Sequence, residues 1–118
     1  MSNIATTIEQ SKHLLELGLD IKSADMCLCK TAQDTWFLCA GTPGEYDAHT
    51  VPAWSLSALL EVMPRPDLYR ETADLWVCAA FFKEGSIRGF GETAIDAACD
   101  NITKMFERGY LNKKGGQQ

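Results

Sequence analysis

The clearest hydrophobic signal in the chain is Leu75 to Phe82, an unbroken apolar run of Leu, Trp, Val, Cys, Ala, Ala, Phe and Phe. It is far too short to cross a bilayer as a helix, and its β-branched and aromatic residues favour a strand. Alternation along that strand places Trp76, Cys78, Ala80 and Phe82 on one face and Leu75, Val77, Ala79 and Phe81 on the other. Both faces are apolar, so each requires a cover: a helix, a second copy of the chain, or another partner.

The remaining pattern supplies candidate covers. Thr6-Thr7-Ile8-Glu9 has the spacing of a capping box and predicts a first helix carrying Leu14, Leu15 and Leu17. Gly18 closes it, with Leu19 folding back on Leu14. Asp20 to Asp25 reads as a polar connection with room for one helical turn. Met26 to Lys30 and Thr35 to Ala40 predict two strands paired through the loop Thr31-Ala32-Gln33-Asp34, with Trp36 and Leu38 on one side and Phe37 and Cys39 on the other. Gly41 to Ala53, punctuated by Pro43-Gly44 and Pro52, reads as the longest loop. Ser55 then caps a short helix that Pro64 and Pro66 end, and Trp54 is expected to staple onto Leu59.

A further loop to about Thr72 leads into the apolar strand, and Lys83-Glu84-Gly85-Ser86 turns the chain into Ile87 to Phe90. The last helix follows directly. Thr93 is its N-cap with Asp96 three residues on, Ile95, Cys99, Ile102 and Phe106 form its apolar stripe, and Gly109 ends it with Tyr110 against Met105. The expected fold class is α+β, in the order α-β-β-α-β-β-α: a single small domain over residues 1–111 with an antiparallel sheet packed with helices. Residues 112–118 are expected to form a flexible polar tail.

Composition agrees with a packed domain. The chain has 118 residues, 46% of them hydrophobic and 23% charged, enough to bury a core without disulfides or metals. Its net charge of −5 opposes non-specific attraction to nucleic acid or to an anionic membrane. Lys83 and Arg88, Arg65 and Arg70, and Lys113 with Lys114 are scattered cations that form no stripe. Met1 to Thr6 lacks the basic start and apolar core of a signal peptide, and five cysteines sit mostly in apolar patterns. The expectation is a cytoplasmic protein with free thiols, no membrane association and no disulfide framework.

Candidate chemistry is sparse. Cys27 and Cys29 share one strand face and could offer two thiolates to zinc or copper, with Cys39 as an easy third, but His13 and His49 are the only histidines. The expected role of these cysteines is therefore packing, with no metal or other cofactor. Glu45-Tyr46-Asp47-Ala48-His49 gathers carboxylates and an imidazole on the long loop, without a nucleophile or an oxyanion donor to complete a catalytic set. Gly89-x-Gly91 before a helix start offers amides to an anion, but Glu92 and Asp96 already place negative charge there, and the glycines are expected to relieve crowding between strand and helix. Most of the aromatic residues, among them Trp36, Phe37, Trp54, Trp76, Phe81, Phe82, Phe90 and Phe106, read as core by position, and the remainder could form a binding face, with Tyr46, Tyr69 and Trp54, in or beside loops, as the choice for exposed contacts.

Several blocks together carry a resemblance: Gln10-Ser11 with Leu14-Leu15-Glu16-Leu17-Gly18-Leu19-Asp20, Ala24-Asp25-Met26, Pro52 through Pro64 around Trp54-Ser55-Leu56, and Glu92-Thr93-Ala94-Ile95-Asp96-Ala97-Ala98 followed by Glu107-Arg108-Gly109-Tyr110. Across nearly its whole length the chain resembles a group of short uncharacterised proteins encoded in gut Bacteroidetes and their phages or mobile elements. The resemblance implies a genomic setting and no activity. The passage through Gly89-Phe90-Gly91-Glu92-Thr93 into an Ala-rich helix also looks like the end of a double-stranded-RNA-binding domain and like HicB-type antitoxins. An RNA-binding domain wants lysines at that helix start, where this chain has Glu92 and Asp96.

These readings lead to a non-enzymatic binding or accessory protein that acts through protein–protein contacts or as a homo-oligomer, with nucleic acid an improbable partner. Trp54, Tyr46, His49 and Tyr69 are the expected contact residues. A nucleic-acid-associated regulator and a small enzyme using the Glu45 to His49 loop are the alternatives.

Overall fold

Local hydrogen bonding sets each helix of the computed structural model, which describes residues 4–41 and 47–111. The first helix, α1 (Ile8–Leu17), is capped by Thr7 rather than Thr6. The Thr7 hydroxyl accepts from the Gln10 amide, and the Gln10 side chain accepts in return from the Thr7 amide, closing the reciprocal box one residue later than the sequence spacing predicts. Thr6 is occupied elsewhere: its amide donates to the Trp54 carbonyl and its hydroxyl accepts from the Trp54 amide. Gly18, at φ 109°, ends α1, and the Leu19 amide reaches back to the Leu14 carbonyl as expected.

A single 3-10 turn (Ile21–Ser23) follows. Ser55 caps α2 (Leu56–Val62), and Thr93 caps α3 (Ala94–Glu107) through the Asp96 amide. At the far end of α3 the Tyr110 amide returns to the Met105 carbonyl over Gly109.

Among the described residues six strands form two antiparallel sheets rather than four strands forming one. In the first, β1 (Met26–Lys30) is central, with β2 (Trp36–Ala40) on one side and β3 (Thr50–Ala53) on the other. In the second, β5 (Leu75–Phe82) lies between β4 (Asp67–Thr72) and β6 (Gly85–Gly91). The fold class is α+β as expected, but β3 and β4 occupy segments that read as loop. Pro52 lies inside β3 because β3 is an edge strand, where a missing N–H costs no ladder bond. β4 is polar and mostly exposed, so only pairing with β5 defines it.

The core gathers on one face of the second sheet. α3 packs on β5 and β6, and α1 and α2 pack on α3. Leu14, Trp54, Leu59, Cys78, Ala80, Ile102 and Met105 are fully enclosed there, each large apolar side chain contributing about 1.5–3 kcal/mol. The close fit depends on Gly89 and Gly91. A Cβ on Gly91 would come within 2.6 Å of the Ala97 amide nitrogen, so the expected structural role for this glycine pair is the one observed. Among the described residues no helix is long and apolar enough to cross a membrane.

Candidate functional site

Register decides which side chains of the second sheet remain open. Arg88 and Asp67 flank Ala79, Phe90 and Tyr69 flank Val77, and Ser86 pairs with Phe81. All of these lie on the face opposite Cys78, Ala80, Ile87 and Gly89, which meet the helices. α3 packs on the other side, against β5 and β6, with α1 and α2 behind it, so this face is the one turned away from the helices. Val77 and Ala79 are only 1% and 2% exposed, shielded in its floor by their neighbours, whereas Tyr69, Phe81 and Phe90 stand 36%, 39% and 47% exposed. Tyr69 and Phe90 stand either side of Val77 in one cross-strand row, and Phe81 stands two rows along β5, beyond Asp67 and Arg88.

The β6 edge of the same sheet is partly covered by α3 side chains. The Phe90 amide donates to Asp100 Oδ2 at 2.9 Å and Lys104 Nζ donates to the Arg88 carbonyl at 3.0 Å, while the two α3 side chains pair with each other at 3.1 Å. Lys104 Nζ also stands 4.9 Å from the centre of the Phe90 ring. Two of the outward backbone groups that could pair with another strand at β6 are thereby occupied.

A second cluster lies on the first sheet. Cys27 and Cys29 point the same way from β1, and Cys39 of β2 is directly opposite Cys27. Their three sulfurs lie within 4.8 Å of one another, with Cys27 and Cys29 at 3.8 Å. All three residues are half-buried and free of disulfides. Burial, reinforced by hydrogen bonds within the cluster, pushes the Cys29 and Cys39 thiols above the ordinary cysteine range, which keeps them protonated near neutral pH. The packing role expected of the cysteines fits Cys78 and Cys99, which are buried; burial raises the Cys78 thiol and, with Asp96 and Asp100 nearby, pushes Cys99 up to about 12.

The expected contact residues separate. Trp54 is a correction: it is fully buried in the core, with its indole N–H donating to Ser23 Oγ at 2.9 Å, because the residues around Thr6 pair with its backbone and draw it inward. Tyr69 is exposed as expected, but from strand β4 on the open face rather than from a loop. His49 is exposed, and its carbonyl accepts from the Lys30 amide where β3 begins. Tyr46 and Glu45 lie outside the described residues. Asp47 is engaged in the turn before β3, its Oδ1 accepting from the amides of His49 and Thr50, a turn-forming role for that carboxylate.

Phe81, Phe90 and Phe37 read as core in the sequence and are instead exposed. The Gly89-x-Gly91 spacing held the signal for Phe90. Glycines that admit a helix mark the covered face, and Phe90, lying between them, must point away from it.

Two open hollows add little chemistry. One of about 330 Å³ runs between Lys12, Glu16, Asp47 and Val51, and one of about 420 Å³ lies by Lys22, Asp25, Ser57 and Glu61. At the start of α3, Asp96 accepts from the Gln10 side chain at 2.7 Å, so the acidic group that departs from an RNA-binding pattern joins α3 to α1. Comparison with protein-family models, with curated proteins and with solved structures finds no match for this chain.

Proposed function

We propose that this chain is a non-enzymatic binding protein that works as a homodimer, joined through the open face of the β4-β5-β6 sheet. The observation that carries the reading is the exposure of Tyr69, Phe81 and Phe90 together over the floor made by Val77 and Ala79. The occupant best suited to that face is a second copy, because the face is self-complementary. A twofold axis between two such sheets, parallel to β5, lays each β4 over the partner's β6. Each Asp67 then meets an Arg88, each Tyr69 meets a Phe90, and the two Phe81 rings meet near the axis. The Phe90 amide and the Arg88 carbonyl, already engaged by α3, favour face-to-face association over strand addition at the β6 edge.

The size of the face sets the strength. Three strands of about seven residues span roughly 14 by 23 Å at ordinary strand spacing and rise. That is well below the approximately 800 Å² per partner of a standard interface, so the dimer is weak, with dissociation in the micromolar range or above. A mobile-element setting, as the resemblance implies, suits a small accessory factor of this kind. Five free cysteines suit a reducing cytoplasm.

Sedimentation velocity across a concentration series is the test. Mass should rise from 13.0 kDa toward twice that value, and Phe90→Glu should hold the chain at the monomer mass. Asp67→Arg and Arg88→Asp should each weaken the dimer, while the double exchange should restore it by reversing the pair. A constant monomer mass up to several hundred micromolar, or failure of the double exchange to restore association, overturns the proposal.

A further inference from the structure

The first sheet carries a second feature that is independent of the dimer face. We propose that Cys27, Cys29 and Cys39 form a three-thiolate site for one soft d10 cation, with Cu(I) as the ion that fits.

The sheet itself builds the site. Two cysteines separated by one residue on β1 project from the same face, and antiparallel register places Cys39 beside Cys27. The backbone thus sets the three sulfurs before any ligand arrives. An ion bound at a metal–sulfur distance of about 2.3 Å holds its sulfurs about 3.8–4.0 Å apart, from tetrahedral to trigonal geometry. Cys27 and Cys29 already stand 3.8 Å apart and no pair of the three exceeds 4.8 Å, so closing on an ion requires rotamer adjustment rather than movement of the strands.

Ligand type and number select the ion. Three sulfurs without oxygen or nitrogen donors exclude magnesium and calcium and favour a soft ion. Structural zinc takes four protein ligands, and no fourth Cys, His, Asp or Glu joins this group among the described residues. Cu(I) needs only three. Phe37, opposite Cys29 on the same face and 48% exposed, supplies an apolar wall beside the sulfurs rather than a fourth donor. Pro52, opposite Cys27 on β3, does the same on the other flank. Binding exchanges protons for the ion: up to three S–H groups release H⁺ to solvent as the sulfur–metal bonds form, with no change in oxidation state.

The experiment uses the full chain, reduced and kept anaerobic, titrated with Cu(I) against a chromophoric Cu(I) chelator and separately with Zn²⁺. The expected result is one equivalent of Cu(I) held against the chelator, with a near-ultraviolet thiolate-to-metal absorbance. Cys27→Ser, Cys29→Ser and Cys39→Ser should each lower Cu(I) affinity by at least 100-fold, and Cys99→Ala should leave it unchanged. Circular dichroism of each variant establishes that it is folded, and the half-exposed positions of the three ligands suit serine. No Cu(I) retention by the reduced chain overturns the proposal. So does tighter retention of Zn²⁺ than of Cu(I), undiminished binding in the three serine variants, or equal loss in Cys99→Ala. A reduced chain that binds neither ion and forms a Cys27–Cys39 disulfide in air assigns the cluster to redox chemistry instead.

Discussion

Gly89 of β6 lies directly beneath Asn101 of α3, so close that a Cβ at Gly89 would come within 2.6 Å of the Asn101 Cα and closer still to its amide nitrogen and to the Ala97 carbonyl. Backbone presses on backbone at this point, and neither element can yield by turning a side chain. Gly89→Ala should therefore separate α3 from the sheet and destabilise the fold by about 3 kcal/mol or more, the upper range for overpacking. Urea unfolding measures it; a loss under about 1 kcal/mol would show that α3 can shift at little cost.

Asn101 itself is fully buried, with its amide nitrogen directed at Met63 Sδ and Cys78 Sγ at 3.4 and 3.8 Å, and its Oδ1 without a hydrogen-bond partner. Two sulfurs are weak acceptors, and an unsatisfied buried oxygen costs roughly 1–3 kcal/mol. Asn101→Leu, of similar size, is expected to leave stability unchanged or raise it by about 1 kcal/mol, as a poorly partnered polar group is replaced by apolar packing. Chemical denaturation decides between that outcome and a marked loss, which would mean that the amide is needed to align Met63 and Cys78.

Alkaline stability should depend on Cys99. Burial, with Asp96 and Asp100 nearby, pushes its thiol up to about 12 in the fold from the ordinary 9.0, so the native state keeps its proton where the unfolded chain has lost it. The contribution is complete below pH 9 and is lost as pH rises through 12, at about 1.4 kcal/mol per pH unit for one group. The slope of stability against pH above 9 should flatten in Cys99→Ala, measured by urea unfolding at successive pH values. An unchanged slope would place the alkaline sensitivity elsewhere.

Trp54 should behave as core rather than as a contact residue. Trp54→Ala is expected to cost about 3–5 kcal/mol, the range for a large buried aromatic. Ser23→Ala, which leaves the indole N–H unpaired, should cost about 1–3 kcal/mol. Both are read by thermal and urea unfolding. In the wild type the Trp54 side chain, at 0% exposure, should resist quenching by iodide, in contrast to the half-buried Trp36 and Trp76.

Thiol reactivity offers an independent check on the two classes of cysteine. Cys27, Cys29 and Cys39, all half-buried, should react with a neutral aromatic disulfide in the native chain, whereas the buried Cys78 and Cys99 should react only on unfolding. Mass mapping of the modified peptides identifies the sites, and native modification of Cys99 at the rate of Cys29 would contradict the packing around α3.

The sequence by itself determined whatever is satisfied within a few residues. Thr93 with Asp96, Ser55 with Ala58, and Gly18 with Leu14 complete their hydrogen bonds inside one helical turn, so the ends of all three helices could be read from local residues, to within one position at Thr7. The β5 run was legible because burial on a central strand demands an unbroken apolar sequence. Tertiary structure decided everything that depends on a distant partner. β4 is a polar segment made into a strand by β5, and β3 holds a proline because it became an edge. The inward turn of Trp54 follows from pairing with Thr6, 48 residues away. Both candidate sites have the same origin: the open face exists because the helices gathered against Gly89 and Gly91, and the thiol cluster exists because register set Cys39 against Cys27. Alternation says which residues of a strand share a face, but the choice of face and neighbour is made only when separate segments meet.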